Sequence, residues 1–224
     1  MYNKDNYPSK LLEEAVEAIN TLPGIGKRTA LRLALHLLGQ PAGNVHHFTA
    51  AIDSLRDNVR YCSVCRMISD EDICPICSDR KRDHRIICVV ENVRDVMSIE
   101  NTGQYHGVYH VLGGIISPIN GIGPSDLTIK ELVARISGLC RADGTAVNGG
   151  DDSDSGEDLH IEVILALSGD VEGETTSFYI YRQLAPFNVA VSSLARGLGF
   201  GDDLEYADEL TLGRSIANRQ PFRP

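Results

Sequence analysis

Two closely spaced pairs of cysteines constrain the fold of this chain more than any other feature of its sequence. Cys62 and Cys65 form one Cys-x2-Cys pair, and Cys74 and Cys77 form a second pair after eight intervening residues. Each short turn brings two thiolates to one ion, and two such turns complete a closed tetrahedral shell of four sulfurs, which is typical of structural zinc sites. The spacing therefore predicts a structural Zn2+ bound by these four residues.

Two disulfides or four free thiols are the alternative interpretations of this cluster. The N-terminal sequence MYNKDNYPSK is polar and has no apolar export signal, so we expect a reducing cytoplasm, where disulfides are rare. Cys88 lies in an apolar strand and Cys140 ends a helix, and we expect both to be small buried hydrophobic residues outside the metal site. No run of about 20 apolar residues is present, so no membrane span is predicted.

Helical periodicity dominates the chain before the cysteines. The pattern predicts helices over residues 10–21, 27–38 and about 44–60, with a glycine-rich break between the first two. The first helix carries one apolar stripe, formed by Leu11, Ala15, Ala18, Ile19 and Leu22.

After His84, strands and helices alternate. Strands are predicted near residues 86–90, 108–112, 161–167 and 188–191, with helices near residues 93–101, 125–139 and 172–184 between them. Such alternation predicts a mostly parallel sheet covered by helices. The fold class is therefore a multi-part α/β protein with a helical N-terminal part and a small zinc-binding motif.

The formal net charge of −10 argues against a protein that coats DNA non-specifically, but the charge is unevenly distributed. Residues 1–84 hold 11 Lys/Arg and 11 Asp/Glu, whereas residues 85–224 hold 10 and 20. Six acids and one base lie in residues 141–158, which are rich in Gly, Asp and Ser and are predicted to form a disordered or mobile insertion. Phosphate binding depends on where the cations lie, so a local basic face is compatible with the acidic total.

The segment LPGIG, followed by a basic helix, resembles a helix-hairpin-helix motif. Gly24 and Gly26 permit a tight turn that places backbone N–H groups at the start of the second helix, where a phosphate binds favourably. Lys27, Arg28 and Arg32 would flank that phosphate, and such contacts carry no sequence information. An ordinary helix–helix connection is the alternative.

Two later segments, residues 87–91 and 166–174, resemble the Toprim domain of bacterial topoisomerases and primases. In active Toprim proteins a strand-end Glu and a later Asp-x-Asp hold Mg2+. Here Glu91 matches the Glu and Asp170 matches the second Asp, whereas Ser168 stands in place of the first Asp. That replacement removes one charge from a shell for a hard cation. We therefore predict no enzymatic activity and leave Mg2+ binding open. A Mg2+-dependent nuclease using Glu91, Asp170 and Glu172 is the alternative.

Helix-hairpin-helix, paired Cys-x2-Cys and a degenerate Toprim domain, in this order, resemble the bacterial recombination mediator family RecR over almost the whole chain. Residues 109–114 and 117–124 carry the resemblance further, as do tail segments 194–199 and 204–208. Asn120 stands where relatives usually have Asp, and the insertion at residues 141–158 is longer and more acidic than the family leads us to expect.

The resemblance implies a ring-shaped homotetramer that encircles DNA and is joined through N-terminal helices and C-terminal segments. It also implies that the protein acts with RecO and RecF, helping RecA to replace single-strand binding protein. Arg28 and Arg32 would line the hole of the ring. An acidic Toprim edge would dock a protein partner such as RecO; it comprises Glu91, Asp95, Asp170, Glu172 and Glu174.

The corresponding domain organisation has four parts. Residues 1–60 form the DNA-binding region, residues 61–84 the zinc finger, residues 85–191 the Toprim domain, and residues 192–224 a C-terminal oligomerisation segment. We expect a cytoplasmic, nucleoid-associated protein with no small-molecule substrate. A purely structural zinc module, in which the hairpin only packs helices together, is a third hypothesis.

Overall fold

The computed structural model describes residues 7–142, 161–195, 205 and 209–217. The chain divides between Val59 and Arg60 into two compact units, and each unit has its own buried cluster. No helix in the described ranges is long and apolar enough to cross a membrane. The mobile insertion predicted at residues 141–158 falls, from residue 143 onwards, outside the described residues, and so does most of the tail that resembles RecR.

The first unit consists of helices α1 (Lys10–Asn20), α2 (Lys27–Leu38) and α3 (Ala42–Asn58). Helices α1 and α2 pack on each other around Val16, Ala30 and Ala34, which are the buried residues within residues 7–59. The bounds of α1 and α2 follow the prediction closely. Helix α3 ends at Asn58 and not near Arg60, because the backbone becomes extended at Val59.

The buried face of α1 differs from the apolar stripe that the sequence suggested. Val16 is buried with Leu12 and Ile19 partly buried beside it, whereas Leu11 and Leu22 are 77% and 55% exposed. A stripe centred on Leu11 is therefore the wrong contact face for α2. Ile19 belongs to both faces of the helix, whereas the other four residues of the stripe are exposed.

Helix α3 has no buried residue in the structure. Phe48, Ile52 and Leu55 follow one another at helical spacing, and each is about half exposed or more. An amphipathic helix normally buries such a stripe against a neighbour. Within the described chain the stripe is uncovered.

The second unit contains a four-stranded sheet in which every neighbouring pair is parallel, in the order β4-β3-β5-β6. Its strands are β3 (Asp83–Val90), β4 (Gly107–Val111), β5 (Ile161–Ala166) and β6 (Val189–Ser193). A short antiparallel pair precedes the sheet and consists of β1 (Arg60–Tyr61) and β2 (Ile68–Ser69). The helices of this unit are α4 (Pro75–Ser78), α5 (Val93–Glu100), α6 (Ile129–Ala142), α7 (Val171–Leu184) and α8 (Glu209–Ala217). The predicted parallel α/β architecture is confirmed.

Strand β3 lies inside the sheet and is buried on both faces, as expected for a parallel strand. Ile87 and Val89 belong to the larger buried cluster, which includes side chains of α6 and α7. Cys88 and Val90 belong to a second cluster with Val96 of α5. Helices therefore cover both faces of the sheet, and the carboxyl end of β3 is left at a rim where polar residues can meet.

Helix α6 starts later than the sequence suggested. A short 3-10 turn occupies Pro124–Asp126, Leu127 is extended, and the helix begins at Ile129. The Asp126 carboxylate accepts a hydrogen bond from the Gly123 N–H at 2.8 Å and so stabilises this separate turn. Helix α6 also continues through Ala142, so the predicted start of the insertion at residue 141 is wrong.

Candidate functional site

The four predicted zinc ligands converge in the structure. Cys62, Cys65, Cys74 and Cys77 are all buried, and their sulfur atoms lie within 4.8 Å of one another. Among the described residues, no other group of three or more His, Cys, Asp and Glu residues approaches this closely. The cluster is therefore the one candidate metal centre in the described part of the chain.

Two short backbone turns hold the sulfur atoms in place. The loop between β1 and β2 carries Cys62 and Cys65, and the Cys62 N–H donates to the Met67 carbonyl at 2.7 Å. In the second turn, the Cys77 N–H donates to the Cys74 sulfur at 3.4 Å, at the start of α4. The Cys74 N–H also donates to the Cys62 sulfur at 3.3 Å and thereby links the two pairs. Such N–H···S bonds favour the thiolate form that a metal requires.

The sulfur positions fit a zinc ion and not a pair of disulfides. All six cysteines are free, and the Cys65 and Cys74 sulfurs are 3.5 Å apart, far longer than the roughly 2 Å of a disulfide. A tetrahedral Zn2+ with bonds of about 2.3 Å places its sulfur ligands about 3.8 Å apart. Cys88 and Cys140 are buried elsewhere and do not join the cluster.

Three of the cysteines also shift one another's pKa. Hydrogen bonds from Cys65 and Cys77 lower the pKa of the Cys74 thiol to about 2. The hydrogen bond with Cys74 in turn raises the pKa of Cys65 to about 12, and hydrogen bonds with Cys65 and Cys74 raise the pKa of Cys77. Without a cation, the Cys74 thiolate is therefore favoured at the expense of the thiolates of Cys65 and Cys77. A Zn2+ ion removes this conflict because it stabilises all four as thiolates.

The basic residues around the zinc segment have different environments. Arg82 makes a two-point ion pair with Glu100 that includes distances of 2.9 and 2.5 Å, and Arg66 lies 3.5 Å from Glu131. Arg80 and Lys81 are exposed. Two of these four basic residues are thus engaged in ion pairs within the unit, and the other two face solvent.

The glycine turn between α1 and α2 has the geometry expected of a hairpin. Gly24 adopts a positive φ of 81°, which residues with a side chain rarely adopt. Gly26 has an ordinary φ of −85° and forms the N-cap of α2, and a methyl group added there would meet nothing within 4 Å. The backbone therefore requires glycine at position 24, whereas at position 26 glycine leaves open space beside the helix start.

The first turn of α2 is basic and contains no acidic residue of its own. Lys27 and Arg28 occupy its first two positions, and no side chain caps the helix. Cations are unfavourable at a helix N-terminus, and anions are favourable there. Arg28 and Arg32 are both exposed and lie one turn apart on the helix. This arrangement favours the binding of an anion from outside the chain.

The predicted Toprim residues lie at the carboxyl end of the sheet, where they bond to one another. The Glu91 carboxylate accepts the Ser168 N–H at 2.5 Å, and the Ser168 hydroxyl donates to Asp170 at 2.9 Å. Asp170 is also the N-cap of α7 and accepts the Gly173 N–H at 2.7 Å. Ser168 therefore joins the two acids of the Toprim pattern.

The other acids of this edge have separate local roles. Glu172 accepts a hydrogen bond from the Ser117 hydroxyl at 2.6 Å, and the Asn120 side-chain amide donates to the same hydroxyl at 2.8 Å. Asp95 accepts the Asn92 N–H at 3.0 Å and completes a capping box at the start of α5. Glu174 is exposed in the first turn of α7. The edge is acidic, and most of its carboxylates are engaged in hydrogen bonds that define loops and helix ends.

Comparison with known protein families accounts for most of the chain in consecutive segments. Residues 12–55 match the RecR helix-hairpin-helix model, and residues 59–79 match the RecR zinc finger domain with four cysteine ligands. Residues 85–195 match the Toprim domain, and residues 197–220 match the RecR C-terminal model. A recombination protein RecR from Porphyromonas gingivalis is 53% identical over 96% of this chain and 95% of its own length. The chain belongs to the RecR family.

Other RecR proteins give the same result. The recombination protein RecR of Flavobacterium johnsoniae is 50% identical over 96% of each chain. That of Cytophaga hutchinsonii is 48% identical over 97% of each chain. Membership of the RecR family confirms the helix-hairpin-helix, the four-cysteine zinc finger and the Toprim domain that the sequence predicted.

The sequence did not predict the backbone conformation of Arg66 or the roles of His110 and Arg135 around the zinc finger of this RecR-family chain. Arg66, directly after the first cysteine pair, adopts a positive φ of 64°, which is unusual for a residue with a side chain. His110 is fully buried in β4, where burial lowers its pKa to about 4, so the ring is neutral at pH 7. Arg135 of α6 donates to the Tyr109 carbonyl at 2.7 Å. Only the position of Arg66 next to a Cys-x2-Cys turn gave a local signal.

Proposed function

We propose that this RecR-family chain binds DNA without cleaving it and acts as a mediator of recombinational repair. In this proposal it works with RecO, and with RecF at gaps or junctions, to help RecA replace single-strand binding protein. The observation that carries the proposal is the uncapped, basic N-terminus of α2 behind a glycine turn.

The proposed DNA contact uses backbone and side chains together. The first N–H groups of α2 point out of the helix start, and the open space at Gly26 allows a sugar-phosphate strand to approach. Arg28 and Arg32 add charge on the same helix. Such a contact recognises phosphates and not bases, as a protein that must act at any sequence requires.

The proposed assembly is a homotetrameric ring. The uncovered apolar faces of α1 and α3 support this proposal, because exposed apolar stripes on helices are typical of surfaces that bind another chain. A ring also accommodates the net charge of −10, since one modest basic patch per chain can face the hole while acidic surface faces outward.

The acidic Toprim edge is proposed as a docking surface for a protein partner such as RecO. Its residues are Glu91, Asp95, Asp170, Glu172 and Glu174. Catalysis at this edge is not supported, because Ser168 replaces a carboxylate and the remaining acids are held by local hydrogen bonds. Mg2+ is therefore given no catalytic role.

In this proposal, each of the four segments predicted from the sequence has its own role. Residues 1–60 would bind DNA, residues 61–84 would form the zinc finger, residues 85–191 would present the Toprim edge, and residues 192–224 would contribute to oligomerisation. A DNA-bound protein of this kind would act at the nucleoid in the cytoplasm.

One experiment tests ring formation, DNA binding and the absence of cleavage together. The solution mass would be measured in Mg2+ or Mn2+ buffer, alone and with duplex, gapped or single-stranded DNA, and the DNA then recovered on a gel. We expect a mass of about four chains of 24.4 kDa, a larger complex with DNA, and uncut DNA. If the protein is a monomer that does not bind DNA at low salt, only the hypothesis of a purely structural zinc module would remain. Cleavage that Glu91→Gln abolishes would show a nuclease.

A further inference from the structure

Strand β4 is at the end of the parallel sheet, so one side of it has no strand neighbour. Backbone groups on such an edge need other partners. Three are found on the outer side of β4. Arg135 donates to the Tyr109 carbonyl at 2.7 Å, the Val111 N–H donates to the Cys65 carbonyl at 2.8 Å, and the Thr128 hydroxyl donates to the Val111 carbonyl at 2.7 Å. The zinc segment and the start of α6 thus cover this edge together.

The position of Arg135 relative to the zinc ligands follows from strand geometry. In a parallel ladder, the carbonyl of one residue and the N–H two positions later bind a single residue of the neighbouring strand. On β4 these two groups belong to Tyr109 and Val111. The Arg135 guanidinium and the Cys65 carbonyl therefore share the space that one residue of a neighbouring strand would fill. The guanidinium lies directly beside the zinc segment.

Among the residues that the structure describes, Arg135 has no carboxylate partner that could balance its charge. No Asp or Glu oxygen in these ranges lies within ion-pair distance of its guanidinium, and Glu131, one turn earlier on α6, lies beside Arg66 instead. A mostly buried cation without a counter-charge is strongly unfavourable. Burial lowers the pKa of Arg135, and electrostatic interactions with the nearby Cys77, Cys65 and Cys62 oppose that effect.

The zinc cluster supplies the missing negative charge. A Zn2+ ion with four thiolates carries a net charge of −2, which is itself unfavourable in a buried site. We propose that Arg135 is the positioning residue of the zinc finger, where its guanidinium offsets the excess charge of the four thiolates and retains the metal. The zinc finger and the Toprim domain would then be one cooperative unit joined along the edge of β4.

A simpler role is that Arg135 only donates a hydrogen bond to the β4 edge, and two variants separate the roles. Arg135→Gln retains a hydrogen-bond donor but removes the charge, whereas Arg135→Lys retains the charge. Arg94→Gln is the matched control, because Arg94 is exposed on α5. Zinc transfer from each folded protein to a coloured chelator would be followed over time, with thermal unfolding measured in parallel.

We expect Arg135→Gln to lose zinc about tenfold faster than the wild type, which is the lower end of the effect of substitutions in the surroundings of metal ligands. Arg135→Lys and Arg94→Gln should lose zinc at nearly the wild-type rate. Wild-type retention of zinc by Arg135→Gln would overturn the proposal, even if its unfolding temperature fell. If Arg135→Gln does not fold, the test rests on Arg135→Lys, which keeps the positive charge. Fast zinc loss from Arg135→Lys would also overturn the proposal.

Discussion

Replacing both Arg28 and Arg32 with alanine is expected to weaken binding to duplex DNA roughly 50-fold at about 0.1 M salt, if each arginine contacts one phosphate. Each phosphate contact contributes about 0.9 to the slope of log affinity against log salt concentration, so the slope should fall by about 1.8. The reason is counterion release, which each lost cation reduces. Fluorescence anisotropy over a range of salt concentrations measures both quantities.

A charge-matched control separates a local contact from general electrostatics. Lys10 and Arg56 are exposed in the same unit and lie outside the hairpin, so Lys10→Ala/Arg56→Ala removes the same charge elsewhere. This control should retain most of the wild-type affinity and salt slope. Equal losses in the two double variants would mean that the hairpin is not the contact. Both arginines are exposed, so their removal should leave the fold unchanged.

Replacing Cys77 with serine is expected to abolish stoichiometric zinc binding and to lower the free energy of unfolding by about 5 kcal/mol or more. The apolar core of the zinc segment consists of little more than the four cysteines, with Val64, Met67 and Ile76 packed against them. Without the metal, this segment has too little apolar surface to stay folded. Unfolding of the zinc segment would also expose the outer edge of β4. Metal analysis and denaturant unfolding measure the two effects.

Cys88→Ala is the appropriate control for that variant. Cys88 is as buried as the zinc ligands but packs in the second cluster of the Toprim sheet. Its replacement should cost only about 1–2 kcal/mol and should leave one zinc ion per chain. If Cys77→Ser kept one zinc ion and wild-type stability, the assignment of a closed four-cysteine site would be wrong. Lowering the pH should release zinc from the wild type, since protons compete for the thiolates.

Local patterns carried most of what the sequence could predict. The spacing of Cys62, Cys65, Cys74 and Cys77 was sufficient because a metal site made of two short turns depends on neighbouring residues. The glycine turn was predictable for the same reason, since the positive φ of Gly24 is a property of the chain at that point. The alternation of strands and helices also gave the parallel sheet, although not its order.

Features that depend on distant contacts were not predictable. The α1 stripe through Leu11 and the buried face through Val16 are both apolar, and only packing against α2 distinguishes them. Arg135 is far from the cysteines in sequence, so nothing local indicates that it and Cys65 bond to the same edge of β4. The start of α6 was placed too early because the Asp126 carboxylate stabilises a separate turn before the helix.

At the Toprim edge, two acids of the family pattern form hydrogen bonds with Ser168. The family pattern led us to consider Mg2+ at Glu91 and Asp170, and the structure does bring these two residues to one rim. Ser168 lies between them, with its N–H on Glu91 and its hydroxyl on Asp170. The Ser168 hydroxyl thus donates to Asp170, which a carboxylate at this position would repel, whereas the bond to Glu91 comes from the backbone N–H and does not depend on the side chain.

The backbone amide signals of the hairpin give the most direct test of the claim that the start of α2 binds a phosphate. In a nuclear magnetic resonance titration with short duplex DNA, we predict the largest shifts at Gly24, Gly26, Arg28 and nearby amides, and small shifts along the strands of the Toprim sheet. The shifts should diminish as salt is added, because the contact is ionic. Shifts confined to the Toprim domain, with the hairpin amides unmoved at saturating DNA, would contradict the account.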